Sequence, residues 1–439
     1  MKSLIYSTFA VLASSAVFGF TVTDVSARQR YPWNNIVDVD FNIGEAQPTD
    51  TFRIEVKASY AGGDQILEAR TFLSEPVVKA GTGRVTWAIE EDYPNLKAED
   101  VKVAVTVVPF TSLTPVYMVI DLSEGSDAES YNVRYTTKDP VHTPKANDAC
   151  KTTQMWLRRI KGDGSTFTMC GNSVPSDSNN SFYAKITKDY YIGIFETTQQ
   201  QWYQIKGNWP SYMSNVTWRA TRPIDNFSIK LLFNQEKYLW PDNKELASSS
   251  LLKKLRDKTG LKTLNLPTES QWQFAACAGA SSTDYYLNPE GVQYKRAEIA
   301  RNLENAGGKS AAYSDGLCDA DKGTACVGTY KPNAFGLYDM IGNVVEDCLD
   351  PYVPADELKK YLIENGYAFP VENYEGIPRA DATALNNNKL HVTVRGGNYE
   401  QTNISLWTRT GAYQKLCRGQ SSVRQRAALL CDMRMTENN

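Results

Sequence analysis

Asn333-Ala-Phe-Gly336-Leu-Tyr-Asp339-Met-Ile-Gly342-Asn343-Val-Val-Glu346-Asp-Cys348-Leu-Asp350 decides how the rest of the chain is read. Its two glycines allow tight turns where a side chain would obstruct the backbone. Asp339 and Glu346 lie on either side of Gly342, separated by a turn whose carbonyls regular structure cannot all satisfy. Carboxylates plus free carbonyls are what a hard cation such as calcium takes as ligands. The alternative is a turn whose Asp and Asn side chains cap their own backbone. Spacing alone leaves both open.

Working outward, four further segments stand in order around this stretch. They are Tyr190-Tyr-Ile-Gly-Ile-Phe-Glu196, Leu266-Pro-Thr-Glu269-Ser-Gln-Trp272, Val327-Gly-Thr-Tyr-Lys-Pro-Asn333 and Val394-Arg395-Gly-Gly-Asn398-Tyr399. With the central stretch they resemble the formylglycine-generating enzyme family, also called sulfatase-modifying factor domains. That family's signature reads Asn-x-x-Gly-Leu-Tyr-Asp-Met-x-Gly-Asn-Val-x-Glu. The resemblance covers most of the chain after about residue 150. It implies a C-type-lectin-like α+β architecture with few regular elements, steadied by calcium. By position it makes Asp339 and Glu346 side-chain ligands of calcium, with Gly342 and Val344 as carbonyl donors. Asn302-Leu303 resembles the start of the family's other calcium loop, with Asp319 or Asp321 as its acidic partner.

Members of the family that make formylglycine carry two cysteines a few residues apart, shortly after an Arg-Gly-Gly-Ser/Asn-aromatic element. That pair binds copper(I), an ion suited to soft thiolates. Here the stretch from Arg395 to Arg409 contains no cysteine. Cys417 lies 22 residues beyond Arg395 and Cys431 another 14 further on, a separation better suited to a structural bridge. Copper is therefore not expected. The flanks depart as well: Val345 and Asp347 surround Glu346 where the family often has tryptophans, and the closing Gly-Phe-Arg reads Asp432-Met433-Arg434. The reading is a non-catalytic binding module with a groove near Arg395, Asn398, Tyr399, Trp407 and Arg409. Arginine and aromatic side chains commonly carry binding energy. A protein, peptide or glycan is the expected ligand. For each of the five the plainer reading is that the arginines staple carbonyls and the tryptophan fills core. The alternative function is an active oxidase converting a sulfatase cysteine to formylglycine.

Composition removes other classes. With 47 basic and 50 acidic residues the net charge is -3, without the electrostatic footprint of a nucleic-acid binder. His142 and His391 are the only histidines, too few for a three-histidine iron site, and both read as surface residues. No Gly-x-Ser-x-Gly elbow is present.

Residues 1–19 read as a secretory signal, with Lys2 ahead of a mostly apolar run and cleavage after Gly19 or after Ala27. No later stretch is long and apolar enough to span a membrane, so the protein is expected in the periplasm or outside the cell. Export makes the eight cysteines candidates for disulfides, Cys150 with Cys170 and Cys318 with Cys326 being the easiest local pairs.

Residues 20–135 read as an antiparallel β-sandwich. Val37, Val39, Phe41 and Ile43 alternate with polar residues, as do Phe52, Ile54, Val56 and Ala58, and again Val101 to Val107. Residues 136–150 read as a linker, and 151–437 as the family domain. Within it Met155–Ile160 and Thr166–Met169 suggest a hairpin turning at Gly162 to Gly164. Capping boxes at Thr198/Gln201 and Thr268/Gln271 open two helices, with Gly207 and Gly279 as stops; a third helix over Leu251 to Lys258 ends at Gly260. Trp202 and Trp272 are expected as core anchors. Residues 280–325 read as a long ordered loop.

Overall fold

The structure, a computed structural model, describes residues 20–31, 35–98, 101–170, 180–225, 232, 246–279, 294–306, 322–388, 391–402, 404–413, 425–426 and 430–431. The signal segment, Cys318, Cys417, Asp319, Asp321 and most of the expected 280–325 loop fall outside these residues. Two compact units form: Met1–Val119 with Val133–Asp139, and Ile120–Asn132 with Pro140–Asn439.

The first unit holds two antiparallel sheets. One runs through β1 (Thr21–Gln29), β2 (Ile36–Gly44), β7 (Gly81–Ala88), β5 (Thr71–Phe72) and β10 (Val133–Thr136). In the other, β3 (Thr51–Tyr60) pairs along one edge with β8 (Lys102–Pro109). Its opposite edge is shared by β4 (Gln65–Glu68) and β6 (Val77–Lys79). The alternating apolar residues of both sheets meet in one cluster, where Val39, Phe41 and Trp87 join Phe52, Ile54, Val56 and Val105. Period-two patterning sends Arg53, Glu55 and Lys57 to the opposite face. Asp38 breaks the pattern by being buried, and it is satisfied. Arg30 donates to it through Nε and Nη2 at 2.9 and 2.8 Å, and Thr86 through its hydroxyl at 2.9 Å.

In the second unit β11 (Gln154–Ile160), β14 (Tyr190–Gly193), β21 (Leu430–Cys431) and β15 (Leu264–Asn265) form an antiparallel run. β12 (Thr166–Cys170) pairs with β13 (Ser181–Lys185), which pairs in parallel with β17 (Val371–Glu372). A third sheet is ordered β19 (Arg409–Tyr413), β18 (His391–Arg395), β16 (Val345–Pro351), β20 (Gln425–Arg426). Tyr117–Asp121 forms β9. Short helices are few.

The hairpin expected between Met155–Ile160 and Thr166–Met169 does not form. The turn is real, since Gly162 donates its N–H to Asp189 at 2.9 Å, but the two strands join different sheets. A glycine turn reverses the chain without choosing the partner strand. The helices agree more closely. Gln199–Lys206 starts on a complete Thr198/Gln201 box and ends on Gly207 in the left-handed region. Leu251–Thr259 is capped by Ser250 and closed by Gly260. Glu269–Ala276 starts on the Thr268/Gln271 box but stops before Gly279.

The segment read as a linker is largely exposed between Val141 and Ala149 and is held at its two ends. Thr136 pairs with Thr71 inside β10, and the fully buried Lys151 donates to the carbonyl of Thr143 at 2.6 Å. His142 is half-buried rather than on the surface, its ring edge-on to Phe195 at 5.2 Å and Tyr338 at 4.9 Å. Burial and the nearby Lys151 charge lower its pKa. His391 is also half-buried, at the start of β18.

Candidate functional site

The register of the third sheet builds the site. Glu346 on β16 stands opposite Arg395 on β18, which stands opposite Arg409 on β19. Directly paired residues project to the same face, so the three charged side chains form a row. The Glu269–Ala276 helix covers it with residues three apart, which share a helix face. Trp272 donates its indole N–H to Glu346 at 2.6 Å. Glu269 receives the Arg409 fork, Nε at 2.5 Å and Nη2 at 3.1 Å, while Arg409 Nη1 donates to the Val353 carbonyl at 2.6 Å. Arg395 sits 5.1 Å above the Trp272 ring, donates to the Leu406 carbonyl at 3.1 Å and lies 3.6 Å from Glu269.

Two guanidinium groups thus share one closely bonded carboxylate inside the protein. Burial lowers the pKa of Arg395, opposed by the Glu269 charge. Against its own burial, Arg409 is raised by the Glu269 charge and hydrogen bonds. Asp350 accepts the backbone N–H of Glu269, and burial together with the Glu269 charge pushes its carboxyl up to about 8.

The turn before β16 supplies the candidate cation ligands. Asp339, Gly342 and Asn343 all have positive φ, at 56°, 79° and 50°. Gly342 is needed for space as well, because a Cβ there would lie 2.3 Å from the Arg301 carbonyl oxygen. Asn343 locks the turn by donating to Glu196 at 2.6 Å and accepting from the Ala325 N–H at 2.9 Å. Asp339 accepts the Gly328 N–H at 2.7 Å through one oxygen, and its other oxygen is buried with no hydrogen-bond partner among the described residues. Burial raises Asp339 to about 7. Burial also raises Glu346, to about 8, with the Trp272 bond working against it and the Asp339 charge adding to it.

Two desolvated carboxylates that repel each other, one with a spare oxygen, are side-chain donors of the kind a hard cation takes. No group of three or more His, Cys, Asp or Glu side chains that could hold a metal occurs among the described residues, so backbone oxygens or water would complete such a site. The second expected loop is arranged differently. The Asn302 side-chain oxygen accepts from its own loop, from the N–H groups of Glu304 at 3.1 Å and Asn305 at 3.3 Å. Leu303 donates its N–H to the Gln401 carbonyl at 3.0 Å.

All five expected ligand contacts, Arg395, Asn398, Tyr399, Trp407 and Arg409, have buried side chains and do not line an open groove. The structure brings the two arginines together on Glu269. Asn398 accepts from the Glu400 N–H at 3.0 Å, and Tyr399 packs with Met213, Leu303 and Ala306. The plainer reading, arginines stapling and tryptophan filling, describes their placement. Glu269, Asp350, Asn343 and Glu196 were not singled out as site residues. Glu269 had a signal, its place at the start of a capped helix inside a quoted motif; Asp350 had none.

The cysteine pairings need correction. Cys150 and Cys326 are buried thiols outside any disulfide, so neither Cys150–Cys170 nor Cys318–Cys326 is formed; Cys277 and Cys348 are buried thiols as well. Proximity in sequence does not set the Cβ geometry that a bridge requires. Burial pushes the Cys150 thiol up to about 11 and raises Cys348 well above its ordinary value. Such thiols are poor nucleophiles and poor metal ligands.

A mainly β domain with few helices, carrying a glycine turn clamped between buried carboxylates and arginines, defines the class of protein. Residues 166–427 match the family described as the sulfatase-modifying factor enzyme 1-like domain, and the chain belongs to that family. The chain is 29% identical over 180 residues to chaperone protein LppX of Paenibacillus barcinonensis, covering 36% of this chain and 61% of that one. It is 31% identical over 134 residues to inactive C-alpha-formylglycine-generating enzyme 2 of Bos taurus, covering 30% of this chain and 38% of that one. The solved structure of Treponema denticola variable protein 1 aligns with a TM-score of 0.41 and 18% identity, covering 67% of this chain and all of that one. The chain thus spans less than two thirds of the length of the two sequence relatives.

Proposed function

We propose that the chain is an exported, non-catalytic member of the family, a binding module with a calcium-steadied C-type-lectin-like domain behind a β-sandwich. The observation that carries the reading is the thiol-free stretch from Arg395 to Tyr413, in which Arg409 is spent on Glu269 and the Val353 carbonyl and Arg395 is enclosed beside Glu269. The burial that raises the Cys150 and Cys348 thiols supports it, as does the likeness to a bovine protein named as an inactive enzyme. Its partner is a protein, peptide or glycan, and the buried arginines and aromatics act by shaping the domain rather than by touching that partner. Calcium, when bound, would neutralise Asp339 and Glu346 and hold the turn. No helix among the described residues is long and apolar enough to cross a membrane. Signal cleavage after Gly19 would leave β1 whole, whereas cleavage after Ala27 would remove Val22, Val25 and Ala27 from the core.

Copper(I) titration with oxygen uptake on a Cys-x-Pro-x-Arg peptide tests the loss of chemistry. The expected result is no uptake above the metal-free rate. Turnover that disappears in Cys417→Ser would establish the alternative, an active formylglycine-generating oxidase. For calcium, the melting temperature should fall on adding a chelator, and Asp339→Asn should remove that response.

A further inference from the structure

β3 of the first unit is paired twice along one edge, with β6 over Thr51–Arg53 and with β4 over Lys57–Tyr60. Between the two pairings the chain leaves this sheet to form β5 in the other one. Bonds from Ile54 N–H to the Pro76 carbonyl at 2.8 Å and from Ala69 N–H to the Val56 carbonyl at 2.9 Å pin the two sides of the gap. The gap is a cavity of about 180 Å³ whose lining includes Ile54, Val56 and Ala69, side chains that turn into the core and leave backbone facing the gap.

Its walls carry three cations, Arg53, Lys57 and Arg70, against two carboxylates, Glu55 and Glu68. Glu68 serves two of the cations, with Arg70 at 2.9 Å and Lys57 at 3.5 Å, while Glu55 pairs with Arg53 Nη2. Arg70 and then Lys57 hold the Glu68 carboxyl below its usual range, so it is charged at neutral pH. One positive charge is left over. Arg53 Nε is buried without a hydrogen-bond partner among the described residues, and an unmet buried donor is costly. The carboxylate oxygens face cations already, whereas Arg70 and Lys57 retain donors. Guanidinium forks match planar or tetrahedral oxyanions.

We propose that this cavity binds a small oxyanion of carboxylate or phosphate geometry. The excess charge attracts it, and the Arg53 and Arg70 donors orient it over the exposed backbone of β3. The volume lies below the roughly 300–1,000 Å³ of drug-sized pockets, which confines the ligand to one anionic group with few atoms beyond it.

Calorimetric titration of the full chain with inorganic phosphate and, separately, with acetate tests this at constant ionic strength. Saturable heat with at least one of them is expected, and which one answers identifies the preferred source. Lys57 and Arg70 have side chains 57% and 53% exposed, so Lys57→Met with Arg70→Met should leave the fold intact by circular dichroism. That double variant is expected to bind at least tenfold more weakly, with Lys262→Met plus Lys360→Met, two exposed lysines outside the cavity, unchanged as a control for the loss of two charges. No saturable heat with either anion, or equal weakening in that control, would overturn the assignment.

Discussion

In the first unit Arg84 meets Asp40 at 2.5 Å and Arg70 meets Glu68 at 2.9 Å, every one of these side chains about a third or more exposed. In the family domain Arg409 meets Glu269 at the same 2.5 Å with both side chains nearly fully buried. The distances are alike and the consequences are not. Water and salt screen the first kind of pair, so each contributes little and can be lost. The second kind has already given up its hydration, so each partner depends on the other to remain inside. The first unit is an apolar alternation with most charges outside, Asp38 and Asp92 being the buried exceptions. The second encloses charges, and its geometry rests on their being matched.

The sharpest way to break this contrast is Glu269→Ala. It strands Arg409 and Arg395 without their shared carboxylate and should cost about 3–5 kcal/mol, read from urea denaturation of the second unit. A much smaller loss would mean that the arginines find water or other acceptors. Gly342→Ala comes next, at about 3 kcal/mol from a Cβ forced against the Arg301 carbonyl in the left-handed region; restored stability in Gly342→Asn would instead point to conformation rather than space.

Of comparable size at its upper bound is the pH response of Asp350. Its folded pKa, about 8, lies above the ordinary carboxylate value, so the folded state holds the extra proton. Its contribution to stability is full below the unfolded pKa and is lost as pH rises through 8. This carboxyl should therefore lower stability from pH 5 to 8 by at most about 1.4 kcal/mol per unit, and Asp350→Asn should make the slope shallower by that share while Asp339 and Glu346 keep the remainder. Thr198→Ala, which removes the hydroxyl of one capping box, should cost about 1 kcal/mol. Smallest of all, Arg84→Ala should leave the denaturation midpoint where it was; a clear shift there would erase the distinction between the two units.

Much of the local structure was legible. Thr198/Gln201 and Thr268/Gln271 declare helix starts because both capping bonds lie within three residues. The alternation from Phe52 to Ala58 declares a strand because successive side chains must take opposite faces. The turn around Gly342 was readable for the same reason, since positive φ and close approach constrain residue type directly. The cysteines were not: Cys150 and Cys326 have near neighbours in sequence, yet disulfide formation depends on Cβ geometry that spacing does not set.

By itself, then, the amino-acid order determined the family, the capped helices, the alternating strands and the absence of a thiol pair between Arg395 and Arg409, all of them matters of residue type at short range. Only the tertiary structure decided that Arg395, Tyr399, Trp407 and Arg409 are interior, that Met155–Ile160 and Thr166–Met169 part company, and that Glu269 joins the two arginines. Strand register and burial cause this difference. A register is chosen by the whole sheet and its covering helix, and a charged side chain is drawn inside only when a partner from a distant segment is already there to meet it.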